Sequence, residues 1–107
     1  MNEERKYICK DEDGYRLYLK KANYTNNGRI YLGLDDVDGG SYCDITINLS
    51  DFMIEDDNIV FIDSWVDDDL FEKLEKVGLL TYLDTMQYNY GRYKKCLVNT
   101  DVMNEYL

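Results

Sequence analysis

The clearest structural signal in the chain is the octapeptide Tyr42-Cys43-Asp44-Ile45-Thr46-Ile47-Asn48-Leu49. Apolar and polar residues alternate along it, which is the period of a strand with one face on the core. We therefore predict a strand whose inward residues are Cys43, Ile45, Ile47 and Leu49 and whose outward residues are Tyr42, Asp44, Thr46 and Asn48.

Turn signals separate further candidate strands upstream of this octapeptide. Gly, Asn and Asp favour tight turns because they tolerate unusual backbone angles or bond to their own backbone. The predicted turns are Asp11-Glu12-Asp13-Gly14, Asn26-Asn27-Gly28 and Asp38-Gly39-Gly40. The predicted strands between them are Tyr7 to Cys9, Tyr15 to Leu19 and Arg29 to Leu34.

Downstream, the continuous apolar run from Asn58 to Asp63 predicts a central strand that is buried on both faces. Leu70, Phe71, Leu74 and Val77 then recur at helical spacing.

For this helix we predict an N-cap within Asp67 to Asp69, a capping box between Asp69 and Glu72, and a left-handed end at Gly78. Glu72 and Lys76 have the spacing of a favourable ion pair.

The last third predicts strands near Leu80 to Leu83 and Tyr93 to Val98, a loop at Tyr88 to Gly91, and a short terminal helix or tail from Thr100. Together the patterns predict an α+β fold, an antiparallel sheet of about five to seven strands with one main helix packed on it.

Length and composition predict a single folded domain over residues 1–107. Hydrophobic residues make up 45% of the chain, enough to offset chain entropy. No apolar run approaches the ~20 residues of a membrane helix, and no signal segment follows Met1, so we expect a cytoplasmic protein of a bacterial host cell. Three widely spaced cysteines predict reduced, buried thiols.

Charge is distributed very unevenly along the chain. Residues 30–72 contain 13 aspartates and glutamates and no lysine or arginine, in a protein of net charge −10. Residues 1–29 hold 7 basic against 5 acidic side chains, so the asymmetry is local. A field of one sign attracts basic partners and repels nucleic acid and anionic membranes.

The sequence supplies no candidate catalytic residues, cofactor-binding residues or metal ligands. Histidine is absent, which removes the common nucleophile–base pairs and imidazole ligands. The segment Asp36-Val37-Asp38-Gly39-Gly40 resembles the start of a calcium loop, but Gly40 and Ile47 stand where oxygen ligands are needed. We therefore predict a protein that is not an enzyme. One alternative to this prediction is a carboxylate-dependent enzyme or a protein that binds a divalent cation.

Eleven tyrosines are the second unusual feature of the composition. Several must belong to the core, but Tyr88 and Tyr90 lie in the predicted loop beside Gly91. Exposed tyrosines give large contact area at small entropic cost, which suits a protein-binding surface.

At Leu32-Gly33-Leu34, Asp38-Gly39 and Asp44 to Leu49, the chain resembles a family of small proteins with a domain of unknown function, carried by plasmids, conjugative elements and phages. The resemblance spans roughly residues 15–99 and implies the same order of parts, with a final glycine-containing hairpin at Thr85 to Val98. Small acidic proteins of mobile elements are similar in type to anti-CRISPR and anti-restriction proteins, many of which imitate nucleic acid.

These observations predict a non-enzymatic inhibitor that binds the basic surface of a host nucleic-acid-binding defence protein by nucleic-acid mimicry, with a CRISPR effector as the leading candidate. It would not itself bind nucleic acid or membranes. The candidate contacts are Asp35, Asp36, Asp38, Asp56, Asp57, Asp67, Asp68, Tyr88 and Tyr90. The alternative is an accessory factor of a mobile element that forms a homodimer and has no inhibitory role.

Overall fold

The octapeptide at residues 42–49 joins two antiparallel sheets in the computed structural model, which describes residues 5–107. The elements in chain order are β1 (Cys9–Lys10), β2 (Arg16–Asn23), β3 (Ile30–Asp35), β4 (Ser41–Asp44), β5 (Thr46–Ile47), β6 (Ile59–Ile62), α1 (Asp68–Lys76), β7 (Leu80–Tyr88), β8 (Gly91–Val98) and α2 (Thr100–Glu105). Sheet 1 has the order β1-β2-β3-β4, and sheet 2 has the order β5-β6-β8-β7.

Ile45 is the point at which the chain passes from one sheet to the other. Its amide donates to the Leu32 carbonyl at 2.9 Å, and its carbonyl accepts from the Asp63 amide at 2.8 Å. The predicted α+β antiparallel architecture is confirmed at this level. The single sheet that we predicted is instead two sheets of four strands each, and residues 5–107 contain two short helices.

The predicted alternation in the octapeptide is wrong at residues 46 and 47, although Leu49 is buried as predicted. Thr46 was expected to face outward but is buried, and Ile47 is only half-buried. The Thr46 hydroxyl accepts the Leu32 amide at 3.1 Å and shares a 3.0 Å hydrogen bond with the Tyr24 hydroxyl. The chain bends at Ile45, between β4 and β5, and these two bonds satisfy the hydroxyl that is buried there.

Sheet 1 buries alternate residues of two strands. Leu17 and Leu19 of β2 and Leu32 and Leu34 of β3 are almost fully enclosed. Tyr18 at the start of β2 pairs with Asp35 at the end of β3. Because the strands run antiparallel, the β1–β2 turn at residues 11–15 and the β3–β4 turn at residues 36–40 lie at the same end of the sheet.

Burial of β6 on both faces is confirmed, since each residue from Ile59 to Ile62 is 3% exposed. Val60 and Ile62 belong to the main core. The other face is covered by residues 48–58, the covering loop, whose Phe52 ring lies 5.5 Å from the Phe61 ring. Fully burying a side chain as large as Phe stabilises a fold by about 1.5–3 kcal/mol.

Helix α1 begins and ends as its flanking residues dictate. Asp67 is the N-cap, and its carboxylate accepts the Leu70 amide at 2.8 Å. The predicted capping box between Asp69 and Glu72 is wrong, because the cap lies two residues earlier than that spacing requires. Gly78 adopts φ +86°, and the Leu79 amide reaches back to the Leu74 carbonyl at 3.1 Å, which completes a Schellman end.

The ion pair observed on α1 joins Asp69 and Lys73 at 3.4 Å, not Glu72 and Lys76 as predicted. Both pairs have i,i+4 spacing, so the sequence alone does not distinguish between them.

The C-terminal hairpin is longer than predicted. Strand β7 runs from Leu80 to Tyr88, and the expected loop is a tight turn in which Asn89 has φ +54°. Beyond Leu80 most side chains of β7 are exposed on both faces, so no alternation marked it as a strand. The predicted terminal helix is confirmed as α2, capped by Asn99. No helix in residues 5–107 is long and apolar enough to cross a membrane.

Candidate functional site: an acidic end with exposed aromatic side chains

Three acidic segments meet at one end of the molecule, which we call the acidic end. It consists of the β1–β2 turn, the β3–β4 turn with Tyr42 of the following strand, and the segment 63–69 that leads into α1. The first two lie at the same end of sheet 1 because of strand register. The third faces the β1–β2 turn and Tyr42 across a cleft whose lining includes Asp11, Glu12, Trp65 and Asp67.

The two turns are built in the same way. The Asp11 carboxylate accepts the amides of Asp13 and Tyr15, each at 2.9 Å. The Asp36 carboxylate accepts the amides of Asp38 and Gly40, also at 2.9 Å. These bonds fix the turns and leave the carboxylates of Glu12, Asp13 and Asp38 exposed to solvent. The segment that resembled a calcium loop is therefore closed by its own amides.

Aromatic side chains at this end are exposed. Trp65, the only tryptophan in the chain, is 70% exposed, Tyr15 is 63% exposed and Tyr42 is 46% exposed. An indole left in water gives up a large hydrophobic stabilisation that burial would supply. Tryptophan and tyrosine in such positions are typical anchors of protein interfaces.

Tyr42 and Trp65 line a cleft of about 240 Å³. Leu17, Cys43 and Leu70 contribute apolar surface to it. Its charged lining residues are Asp11, Glu12, Asp67 and Asp69 against Lys10 and Lys73. The cleft thus combines aromatic walls with an excess of negative charge.

Two cations partly offset the carboxylates of the acidic end. Lys20 pairs with Asp35 at 3.1 Å, and Lys73 pairs with Asp69 at 3.4 Å. In the described chain, no ion pair involves Asp11, Glu12, Asp13, Asp36, Asp38 or Asp67. Partial burial, and then the carboxylates of the β1–β2 turn, raise the pKa of the Tyr42 hydroxyl. The local field is therefore negative.

The predicted contact residues do not form one surface. Asp36, Asp38 and Asp67 lie at the acidic end, whereas the adjacent Asp35 is withdrawn into its ion pair, with 15% of its side chain exposed. Asp68 faces away toward Lys94 of β8, at 3.5 Å.

The remaining predicted contacts lie elsewhere. Asp56 and Asp57 precede β6, at the opposite end of that strand from Trp65. Tyr88 is half-buried against Phe52 and donates to Asp51 at 2.7 Å. Tyr90, in the turn between β7 and β8, is fully exposed.

Sequence reasoning missed the carboxylates of the β1–β2 turn and the exposed aromatic side chains of the acidic end. The turn lies outside the block at residues 30–72, in a flank whose average charge is slightly basic. The alternation in the octapeptide predicts that Tyr42 faces outward but gives it no binding role, and no pattern singles out Trp65. A lone tryptophan beside Asp63 and Asp67 was the signal that could have found the site.

The thiols do not contribute reactive groups. All three cysteines are free, with Cys9 and Cys96 buried and Cys43 half-buried. Burial raises the pKa of Cys43 to about 11 and that of Cys96 to about 12, so both remain protonated at neutral pH. Among residues 5–107, no group of three or more cysteine, aspartate or glutamate side chains could hold a metal ion.

No family model, curated protein or solved structure matches this chain. The geometry of the acidic end is therefore the basis for assigning a role.

Proposed function

We propose that the chain is a non-enzymatic acidic inhibitor that binds the basic surface of a nucleic-acid-binding protein through its acidic end. One observation carries the proposal: exposed Trp65 and Tyr42 line a cleft together with carboxylates from two separate segments, the β1–β2 turn and residues 63–69. Carboxylates attract lysine and arginine over long range, and aromatic anchors supply contact area once the surfaces meet.

The spacing of the turns suits imitation of a nucleic-acid backbone. Neighbouring strands lie ~4.8 Å apart, so two hairpin turns at one end of sheet 1 present carboxylates about 10 Å from each other. Duplex DNA carries one charge per ~1.7 Å of axis, so a groove shaped for phosphates offers several cations over that distance. The proposed target class is a host defence protein, with a CRISPR effector as the leading candidate, and the proposed origin is a phage or another mobile element.

The experiment is capture of partners from the lysate of a CRISPR-bearing bacterium, at low salt, by the tagged protein. We expect a nucleic-acid-binding protein that is released by high salt and displaced by duplex DNA, and whose nuclease activity falls when this chain is added. A captured partner that DNA does not displace would contradict nucleic-acid mimicry.

A matched pair of triple variants tests the location of the surface. In the first, Glu12→Lys, Asp13→Lys and Asp38→Lys reverse exposed charges at the acidic end. In the control, Asp57→Lys, Glu72→Lys and Glu75→Lys make the same change in net charge elsewhere on the surface. We expect the first to abolish capture and the control to retain most of it. Equal losses would mean that only net charge matters.

A second candidate function is a dimerising accessory factor, and the free edge of β7 favours it. This edge is nine residues long, carries exposed Tyr82 and Leu83, and belongs to a hairpin with Arg92, Lys94 and Lys95. Unpaired strand edges readily accept another strand. Sedimentation at several protein concentrations tests this alternative, which requires a dimer that survives high salt.

A further inference from the structure

The aromatic cleft at the acidic end has a size that limits its occupant. Its volume of about 240 Å³ is below the ~300–1,000 Å³ of sites that enclose a small-molecule ligand. The exposed Trp65 and Tyr42 form part of its lining, so the cleft is open to a group carried by another molecule. One side chain of a partner protein matches this size.

Charge complementarity indicates a cationic side chain. Four carboxylates line the cleft against two ammonium groups, and Lys73 is already engaged by Asp69 and by the Lys10 carbonyl, at 3.4 and 2.8 Å. The Lys10 ammonium lies over the Tyr7 ring at 5.8 Å. The charge of Glu12, which has no ion pair in the described chain, is therefore free for an incoming cation.

The aromatic residues favour arginine over lysine. A guanidinium is planar and weakly hydrated, so it can stack on an indole or phenol ring while its edge donates to carboxylates. A lysine ammonium is a strongly hydrated point charge and gains less from a flat aromatic wall. Resting on the proposed function, we infer that the cleft beside Trp65 receives a single arginine side chain of the basic partner.

Trp65 makes the inference directly measurable. It is the only tryptophan, so fluorescence excited at wavelengths that the eleven tyrosines do not absorb reports on this cleft alone. The probes are N-acetyl-arginine-amide, the lysine analogue, and N-acetyl-citrulline-amide, which keeps nearly the same shape without the charge. We expect a saturable change with arginine, a weaker one with lysine and none with citrulline, and we expect added salt to suppress the response.

Glu12→Gln is the test variant, because Glu12 is exposed and makes no side-chain hydrogen bond or ion pair in the described chain. One exposed carboxylate contributes about 0.5–1 kcal/mol, so this variant should weaken arginine binding about two- to fivefold. Asp57→Asn is the matched control and should leave the titration unchanged. A response that does not saturate, or that citrulline reproduces, would overturn the inference, as would an unchanged affinity in Glu12→Gln.

Trp65→Ala separates this inference from the proposed function, and a thermal melt establishes that the variant is folded. Loss of partner capture by Trp65→Ala, together with a positive arginine titration of the parent protein, supports both the proposed function and the arginine cleft. If Trp65→Ala retains capture while the triple reversal at Glu12, Asp13 and Asp38 loses it, electrostatic binding stands and the arginine cleft falls. If both variants retain capture, both proposals fall.

Discussion

The covering loop and the acidic end are both rich in carboxylates but use them differently. In the covering loop, Asp51 accepts the Tyr88 hydroxyl at 2.7 Å, Glu55 pairs with Lys95 at 2.9 Å, and Asp56 accepts the Asn58 amide at 2.8 Å. At the acidic end, Glu12 and Asp38 make no such side-chain contact in the described chain.

The aromatic residue of the covering loop packs against other rings of the protein, whereas the aromatic residues of the acidic end are exposed. Phe52 of the covering loop lies against both Phe61 and Tyr88, with ring centroids 5.5 and 5.6 Å apart. Trp65 and Tyr42 at the acidic end are largely or half exposed. A similar composition thus serves internal packing in one region and remains available to a partner in the other. Unsatisfied charge beside exposed aromatic surface, more than acidity itself, distinguishes the candidate site.

Removing one aromatic side chain from each region should give the largest difference. Phe61→Ala takes away a fully buried ring beneath the covering loop and should lower the free energy of unfolding by about 3–5 kcal/mol. Trp65→Ala should change it by only about 0.5 kcal/mol, because the indole is mostly in water. Urea denaturation measures both. A comparable loss in the two variants would show that Trp65 is a packing residue, and the distinction between the regions would fail.

Releasing the covering loop should have the next largest effect. The Arg29 guanidinium donates to the carbonyls of Leu49 and Phe52 at 3.0 and 2.5 Å, which ties the loop to the β2–β3 turn. Hydrogen bonds from a charged group contribute about 1.5–3 kcal/mol, so Arg29→Ala should lower the free energy of unfolding by about that amount. Arg29→Lys should retain only part of this contribution to the free energy of unfolding, because an ammonium lacks the forked donors of a guanidinium.

Hydrogen exchange checks whether the loop is the part that opens. Amides of residues 48–58 should exchange faster in Arg29→Ala, while those of β2 and β3 keep their protection. Uniformly faster exchange would indicate global unfolding and would contradict a local anchor.

Asp67 is a carboxylate of the acidic end with both a structural position and a position in the proposed binding site, and two variants separate these roles. It caps α1 and also lines the aromatic cleft. Asp67→Ala should lower the free energy of unfolding by about 1 kcal/mol, whereas Asp67→Asn keeps the capping oxygen and should lose much less. Thermal melts give the stability of each variant, and the arginine titration gives binding. If Asp67→Asn binds like the parent protein, the charge of Asp67 takes no part in the site.

Sequence reasoning found the parts of the fold whose structure is determined by the residues in and next to them. Asp67 is a good capping residue and Gly78 tolerates positive φ, so helix α1 could be predicted at both ends. The apolar run at β6 could be predicted as a strand because both its faces are buried.

The predictions that were wrong or incomplete concern features that depend on long-range geometry. Thr46 is buried because the chain changes sheets at Ile45, and nothing in the octapeptide marks that bend. The acidic end combines Asp11 with Trp65, residues brought together by strand register and by the path into α1. A scan for continuous charge finds the block at residues 30–72 but cannot tell which of its carboxylates already have partners.

The smallest expected effect concerns pH and the covering loop. Hydrogen bonding to the Lys95 ammonium lowers the pKa of Glu55 below the ordinary value of about 4.3. A carboxyl whose pKa is lower in the folded state stabilises the fold above its unfolded pKa, and this contribution is lost as pH falls through the folded value. Glu55 is exposed, so solvent screens the pair and the shift in melting temperature should be small. Melts of the parent protein and Glu55→Gln between neutral pH and pH below 4 should converge as the pH falls. Curves that stay parallel would mean that the Glu55 charge does not help to hold the covering loop, and the contrast with the acidic end would then depend on Asp51 and Asp56.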